Sequence, residues 1–261
     1  MDATYEPWTK RGQVISDGMA DVLRSLRLLD AGGDLGAACA RALGVPGVAA
    51  SLLVKAGQGA EPLWCHPELS GRFEDLQFTL GEGPGPDVLR DGAPVLEPDL
   101  GLVPAERWPA LLPSARELGV LGVNCFPLGV GAVRLGVLTV LCDGKPLSDQ
   151  QYADATALAA ALTSAALSGD PVDGSSGLRR AAVHQATGMV SVQLEVPVAQ
   201  ALLRLRAHAF GTGRPLGEVA ADVVARRIRF HHERDDRDDD AGGDMSGPDS
   251  PRDNSPEDRR E

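Results

Sequence analysis

Aromatic side chains make up only 4% of this 261-residue chain, while alanine and glycine are plentiful, a compositional bias with no functional signal of its own. No run of 18 or more apolar residues occurs, which argues against a membrane-spanning helix. The opening MDATYEPWTK lacks the basic segment followed by an apolar one that marks a secretory signal, so a cytoplasmic protein without a membrane partner is expected. Cysteine is sparse. Cys39, Cys65, Cys125 and Cys142 lie far apart, with no CxxC or CxxCH spacing, which speaks against a zinc site or haem attachment and for buried free thiols. No metal site is expected. The 43% of hydrophobic residues suffices for one medium domain plus smaller parts.

What the chain does have is segregated charge. Its total is −12, yet residues 178–230 hold eight arginines (179, 180, 204, 206, 214, 226, 227, 229) against Glu195, Glu218 and Asp222, a balance of +5. Residues 231–261 carry twelve acidic and five basic side chains, a balance of −7, with almost nothing apolar to bury. That composition predicts a disordered acidic tail that solubilises the protein or competes with nucleic acid for the arginines. The remaining residues, 1–177, balance at −10. A polyanion is repelled everywhere except at the basic stretch, where guanidinium forks suit phosphate and base edges.

Three helices follow from the apolar spacing of that stretch. Leu178, Ala182, Ala186 and Met189 share one face of the first. Val198, Ala201, Leu202, Leu205 and Ala209 stripe the second, with Pro197 in its first turn and Gly211 and Gly213 at its end. Pro215 opens the third, striped by Leu216, Val219, Ala220, Val223 and Val224. So few large side chains bury little area, which predicts a unit that leans on a second copy, as a homodimer.

The motifs QATGM (Gln185–Met189), QALLRLRAHA (Gln200–Ala209) and GRPLGEVAADVV (Gly213–Val224), in that order, resemble the ANTAR family of RNA-binding antitermination modules. The resemblance implies an all-α three-helix module over residues 178–230 that binds stem-loops in nascent mRNA leaders, where single-stranded loop bases can be read. It implies RNA contacts at Arg179, Arg180, Gln185, Thr187, Gly188, Arg204, Arg206 and Arg214, with Gly188 keeping one surface bare and the arginines meeting phosphate. Ala186, Met189 and Ala209 fall to packing. Many relatives carry a lysine where this chain has Thr187, so a neutral hydroxyl replaces a cation.

Upstream, Val14, Met19, Val22, Leu23, Leu26 and Leu29 predict an amphipathic helix, and Asp34 is a cap candidate for a second over Asp34–Leu43. Val48–Val54 reads as a buried strand with Leu63–His66 as its hairpin partner. In Leu76–Leu100 the glycines and prolines at 81, 83, 84, 85 and 86 interrupt a strand before a short helix, Asp87–Arg90. A phosphate cradle there is weakly supported, because the loop has no GxxxxGK[ST] lysine and carries Glu82 and Asp87. Leu118–Leu128 and Ala132–Cys142 read as a hairpin, and Tyr152–Leu167 as an alanine-rich helix. LGEGPGPDVLRDGAPV (Leu80–Val95), Asp99 with Leu100, and FPLGVGAVRLGVLTVL (Phe126–Leu141), set in this order of elements, resemble a GAF domain over residues 14–168. That implies an α/β sensor with an antiparallel sheet flanked by helices and a cavity for a small-molecule effector, whose identity the residues do not specify. SGDPVDGSSG (Ser168–Gly177) cannot continue a helix across Pro171, which makes 169–177 a flexible linker.

The expectation is therefore a non-enzymatic, signal-responsive antitermination regulator. A helix, glycine turn and helix over Ala201–Val224 also leave a DNA-binding helix-turn-helix open, although the connection from Ala209 to Pro215 is long for that motif. A GAF-type thiol reductase using Cys65, Cys125 and Cys142 is a further alternative, though nothing in the sequence marks a reactive thiolate.

Overall fold

A computed structural model describes residues 15–28, 34–53, 59–168 and 180–231. The expected linker, Leu178, Arg179 and all but the first residue of the expected acidic tail lie outside these residues.

The chain opens with α1 (Asp17–Leu28) and α2 (Leu35–Leu43). The Asp34 carboxylate accepts from the Ala37 N–H at 2.9 Å, which starts α2, and Gly44 at φ 62° stops it. Strands β1 (Gly47–Leu53) and β2 (Ala60–His66) pair antiparallel. Helices α3 (Glu68–Leu80) and α4 (Pro84–Asp91), strand β3 (Val95–Glu97) and helix α5 (Leu111–Leu118) follow. Strands β4 (Gly122–Val130) and β5 (Val133–Cys142) form a hairpin, and α6 (Asp149–Ser168) completes this part of the chain.

The five strands run antiparallel in the order β2-β1-β5-β4-β3. Strand alternation divides their side chains between two cores. Phe126, Leu128, Leu138 and Val140 face one side, where Met19, Leu43, Leu158 and Leu162 of α1, α2 and α6 cover them. Val123, Cys125, Val137 and Leu141 face the other, against Phe73, Val88 and Leu111 of α3, α4 and α5. The result is an antiparallel sheet flanked by helices on both faces.

Two local readings need correction. LQFTL (Leu76–Leu80) alternates like a strand but is the last turn and a half of α3, because Phe73, Gln77 and Phe78 are buried at helical spacing and Gly81, at φ 73°, ends the helix. The strand expected from Leu118 begins only at Gly122, since Leu118 closes α5 and Gly119 adopts φ 84°.

Helices α7 (Ala181–Gln193), α8 (Val198–Thr212) and α9 (Leu216–Val224) enclose a third core. On α8 and α9 it is built from Ala201, Leu202, Leu205, Ala209, Leu216, Val219, Ala220 and Val223. On α7 the buried face is Val183, Ala186, Thr187 and Val190, turned from the Ala182–Met189 stripe expected, whose Ala182 and Met189 are only half-buried. None of the described helices is long and apolar enough to cross a membrane.

A Cβ at Gly122 would lie 1.8 Å from the Pro98 carbonyl oxygen, so only glycine lets β4 pass beneath the turn after β3. Gly122→Ala is expected to lower unfolding stability by about 1–3 kcal/mol, the range for overpacking, as measured by urea denaturation.

Candidate functional site

The third core has a guest. Phe78, in the last turn of α3, is 7% exposed and packs among Val183, Leu202 and Leu205 of the C-terminal helices. Two guanidiniums lie over its ring, with Arg180 Cζ at 3.9 Å and Arg206 Cζ at 5.0 Å from the centroid. The His184 ring meets it edge-on at 6.5 Å. The C-terminal helices are thus joined to the sheet-bearing part of the chain by one aromatic anchor and the cations around it.

Arg180 is fully committed. Its backbone N–H donates to Glu61 Oε1 at 2.9 Å, and its guanidinium donates to the Ala60 carbonyl and, at 2.7 Å, to Asp75 Oδ1. The other Glu61 oxygen lies 3.2 Å from His184 Nε2. Glu61 therefore sets a carboxylate at the start of α7, where the helix dipole favours negative charge. Arg206 is placed differently. Among the described residues it has no carboxylate partner, and its buried Nε makes no hydrogen bond. Burial, reinforced by the Arg180 charge, lowers its pKa to about 10, which leaves it cationic near neutrality.

The residues expected to contact RNA fall in different surroundings. Arg180, 6% exposed, and Arg206 turn inward onto Phe78 and present no phosphate-binding face in this arrangement. Thr187 is 1% exposed and donates its hydroxyl to the Val183 carbonyl, so its side chain lies inside the third core in this arrangement. Arg214 is held at 2.7 Å by Asp222 Oδ2, and Arg227 donates to the other oxygen of the same carboxylate. Gln185, Gly188 and Arg204 are exposed, and a Cβ at Gly188 would meet nothing within 4 Å. Arg226 and Arg229 are also exposed, with no ion pair among the described residues. Their position just past the last apolar stripe residue, Val224, is the sequence signal for that exposure. Ala186 and Ala209 are buried, and Met189 is half-buried. The arginines therefore split into inward, paired and exposed sets instead of forming one surface.

The glycine-proline loop does not cradle an anion either. Glu82 Oε1 accepts from the Ala110 and Leu111 N–H groups at 2.7 and 2.8 Å, capping α5, and the Gly85 N–H is taken by Gln77 Oε1 at 2.8 Å. Asp87 accepts from Trp108 Nε1 at 3.1 Å and from Arg90. Burial raises the thiol pKa of Cys39 to about 12 and of Cys142 to about 11, and pushes Cys125 higher still, which disfavours the thiolate form at each. Among the described residues no cluster of three or more His, Cys, Asp or Glu could hold a metal ion.

Beside Phe78 and Arg206 lies a cavity of about 370 Å³. Glu74, in its wall, is buried, accepting hydrogen bonds from Ser51 Oγ and Thr139 Oγ1, each at 2.8 Å, and from Gln77 Nε2 at 3.2 Å. Burial raises the pKa of this carboxyl despite those donors. Folding therefore binds a proton, and the stabilising contribution is full below the ordinary glutamate value and is lost as pH rises through the folded-state value. Glu74→Gln is expected to flatten the fall in melting temperature as pH rises above the ordinary glutamate value; parallel profiles for the variant and the parent protein would refute the assignment.

No protein-family model matches the chain, and a search of curated proteins also returns no match. Solved structures do. The GAF domain of a phosphoenolpyruvate-protein phosphotransferase from Coxiella burnetii is 19% identical over 59% of this chain and 99% of its own, with a TM-score of 0.41. The GAF domain of the Acinetobacter phosphoenolpyruvate-protein phosphotransferase is 18% identical over the same shares, with a TM-score of 0.42. An N-acylhomoserine-lactone-dependent LuxR-family transcription factor from Burkholderia cenocepacia is 23% identical over 60% of this chain and 96% of its own, with a TM-score of 0.41.

Proposed function

We propose that the protein is a cytoplasmic, non-enzymatic regulator in which a GAF-type sensor holds back an ANTAR-type module that binds stem-loop RNA in mRNA leaders. The observation that carries this reading is the inward placement of Arg180 and Arg206. Two cations of the motif-bearing helices are clamped over Phe78, while Arg204, Arg226 and Arg229 remain exposed. A module whose phosphate-binding charge is partly hidden by its neighbour can be switched by undocking. Docked, it meets RNA weakly; released, it gains two guanidiniums. Leu203, Ala207 and Phe210 form an exposed, largely apolar face of α8, where the second copy expected from the small core would sit.

One geometric point keeps a DNA-binding reading in contention. Helix α8 runs on to Thr212, so only Gly213, Arg214 and Pro215 separate it from α9. The long connection that counted against a helix-turn-helix is in fact three residues, within the range of that motif.

Asp75 is exposed and, among the described residues, pairs with Arg180 of the clamp, so Asp75→Lys should repel Arg180 and release the module without disturbing the sheet. Titrated against a two-loop leader RNA in a gel-shift assay, this variant is expected to bind more tightly than the parent protein. Its dependence of log affinity on log salt should steepen by roughly 1.5, for two added phosphate contacts. Glu106→Lys, an exposed charge reversal away from the clamp, is the control for added charge. Equal behaviour of the two variants would sink the clamp, and duplex DNA outcompeting hairpin RNA at equal salt would replace RNA with DNA as the partner.

Gly188 lies inside α7 on an open face, so Gly188→Ala should stabilise the helix by about 0.5–1 kcal/mol. If that face meets RNA, the added methyl also weakens RNA binding. A variant more stable in urea yet unchanged in RNA affinity would remove Gly188 from the interface.

A further inference from the structure

The cavity of about 370 Å³ is walled by Leu53, Phe78, Leu89, Val137 and Leu202, and Arg206 borders it with no counter-charge among the described residues. We infer that it is a binding site for a small organic carboxylic acid, whose carboxylate pairs with Arg206 and whose apolar body fills the space toward Val137.

Three features point to that chemistry. A guanidinium half-buried with its Nε left unbonded is costly, and an anion that reaches it recovers part of that cost through charge-assisted hydrogen bonds. The guanidinium reaches the cavity because Gly81 caps α3 without a side chain: a Cβ there would lie 2.9 Å from Arg206 Nη1. Beyond the guanidinium the walls are mainly apolar; the other two lining cations, Arg180 and Arg90, are paired with Asp75 and with Asp87 and Asp91, and the polar groups Glu74 and Gln77 are already hydrogen-bonded to Ser51, Thr139, Gly85 and each other. A compact, multiply charged phosphate would leave this apolar space unused, whereas a monoanion with a hydrocarbon body fills it.

The site spans two parts of the chain. Leu53 and Val137 come from β1 and β5, whereas Leu202 and Arg206 come from α8. A ligand touching both stabilises their contact by linkage and so favours the docked state. This step rests on the proposed clamp: the acid acts as a ligand that lowers RNA affinity.

The test uses the full chain with benzoate and hexanoate as probes, and with benzamide and inorganic phosphate as the neutral and the multiply charged comparisons. Calorimetry should detect both carboxylates, with benzamide and phosphate at least tenfold weaker. Arg206→Gln should weaken benzoate by about 10- to 100-fold, the range for losing a charged hydrogen-bond partner. Leu89→Phe, which narrows the cavity from a half-buried position and leaves the charge in place, should weaken it as well and covers the case in which Arg206→Gln misfolds. Benzamide binding as well as benzoate, phosphate binding better, or neither carboxylate binding at millimolar concentration would each overturn the assignment. In the gel shift, benzoate should reduce RNA affinity in the parent protein and not in Asp75→Lys. Benzoate binding without any RNA binding would leave the site standing and refute the RNA reading, whereas RNA binding without benzoate binding would do the reverse.

Discussion

The contact between the Phe78 ring and two guanidiniums is the constraint on which the rest of the arrangement depends. A cation over an aromatic face contributes about 0.5–2 kcal/mol, depending on how far it is desolvated. Two cations on one ring also repel each other, and the Arg180 charge helps to depress the pKa of Arg206. Arg180 tolerates this because Glu61, Asp75 and the Ala60 carbonyl occupy its donors. Among the described residues Arg206 has the ring and no carboxylate. One arginine therefore fastens the helices to the sheet, and the other carries an unbalanced charge into a cavity.

That division gives the proposed regulation a physical form. Arginines that look equivalent along the helices differ in what they face, so RNA affinity in the proposed scheme depends on the docking equilibrium. Arg204, Arg226 and Arg229 are exposed in the docked form, and Arg180 and Arg206 become available only when Phe78 leaves the third core. An effector needs only a differential affinity for the docked form to shift such an equilibrium.

The same economy of polar groups explains the glycine-proline loop. Gly85 donates to Gln77, Gln77 to Glu74, and Glu74 accepts from Ser51 on β1 and Thr139 on β5, so one chain of hydrogen bonds ties α4 through α3 to the sheet. Glu82 meanwhile caps α5. The residues that suggest an anion cradle are used in joining elements, because buried polar groups need partners and these side chains supply them.

Much of the local structure was legible in the sequence. The cap at Asp34, the β4–β5 hairpin, α6 and the apolar stripes of α8 and α9 follow from spacing and turn residues, because those signals act within a few positions along the chain. Helix α3 was not legible at its end, since five alternating residues satisfy a strand pattern as well as a helical turn until burial of Phe73 and Gln77 decides between them. Composition also determined that positive charge collects in residues 178–230. Where each guanidinium points was decided only by tertiary structure. Phe78, Glu61 and Asp75 lie more than a hundred residues from the arginines they engage, and no local pattern records a pairing across that separation. An aromatic ring at a helix end and a lone acid on a strand gain their meaning only when folding closes that distance.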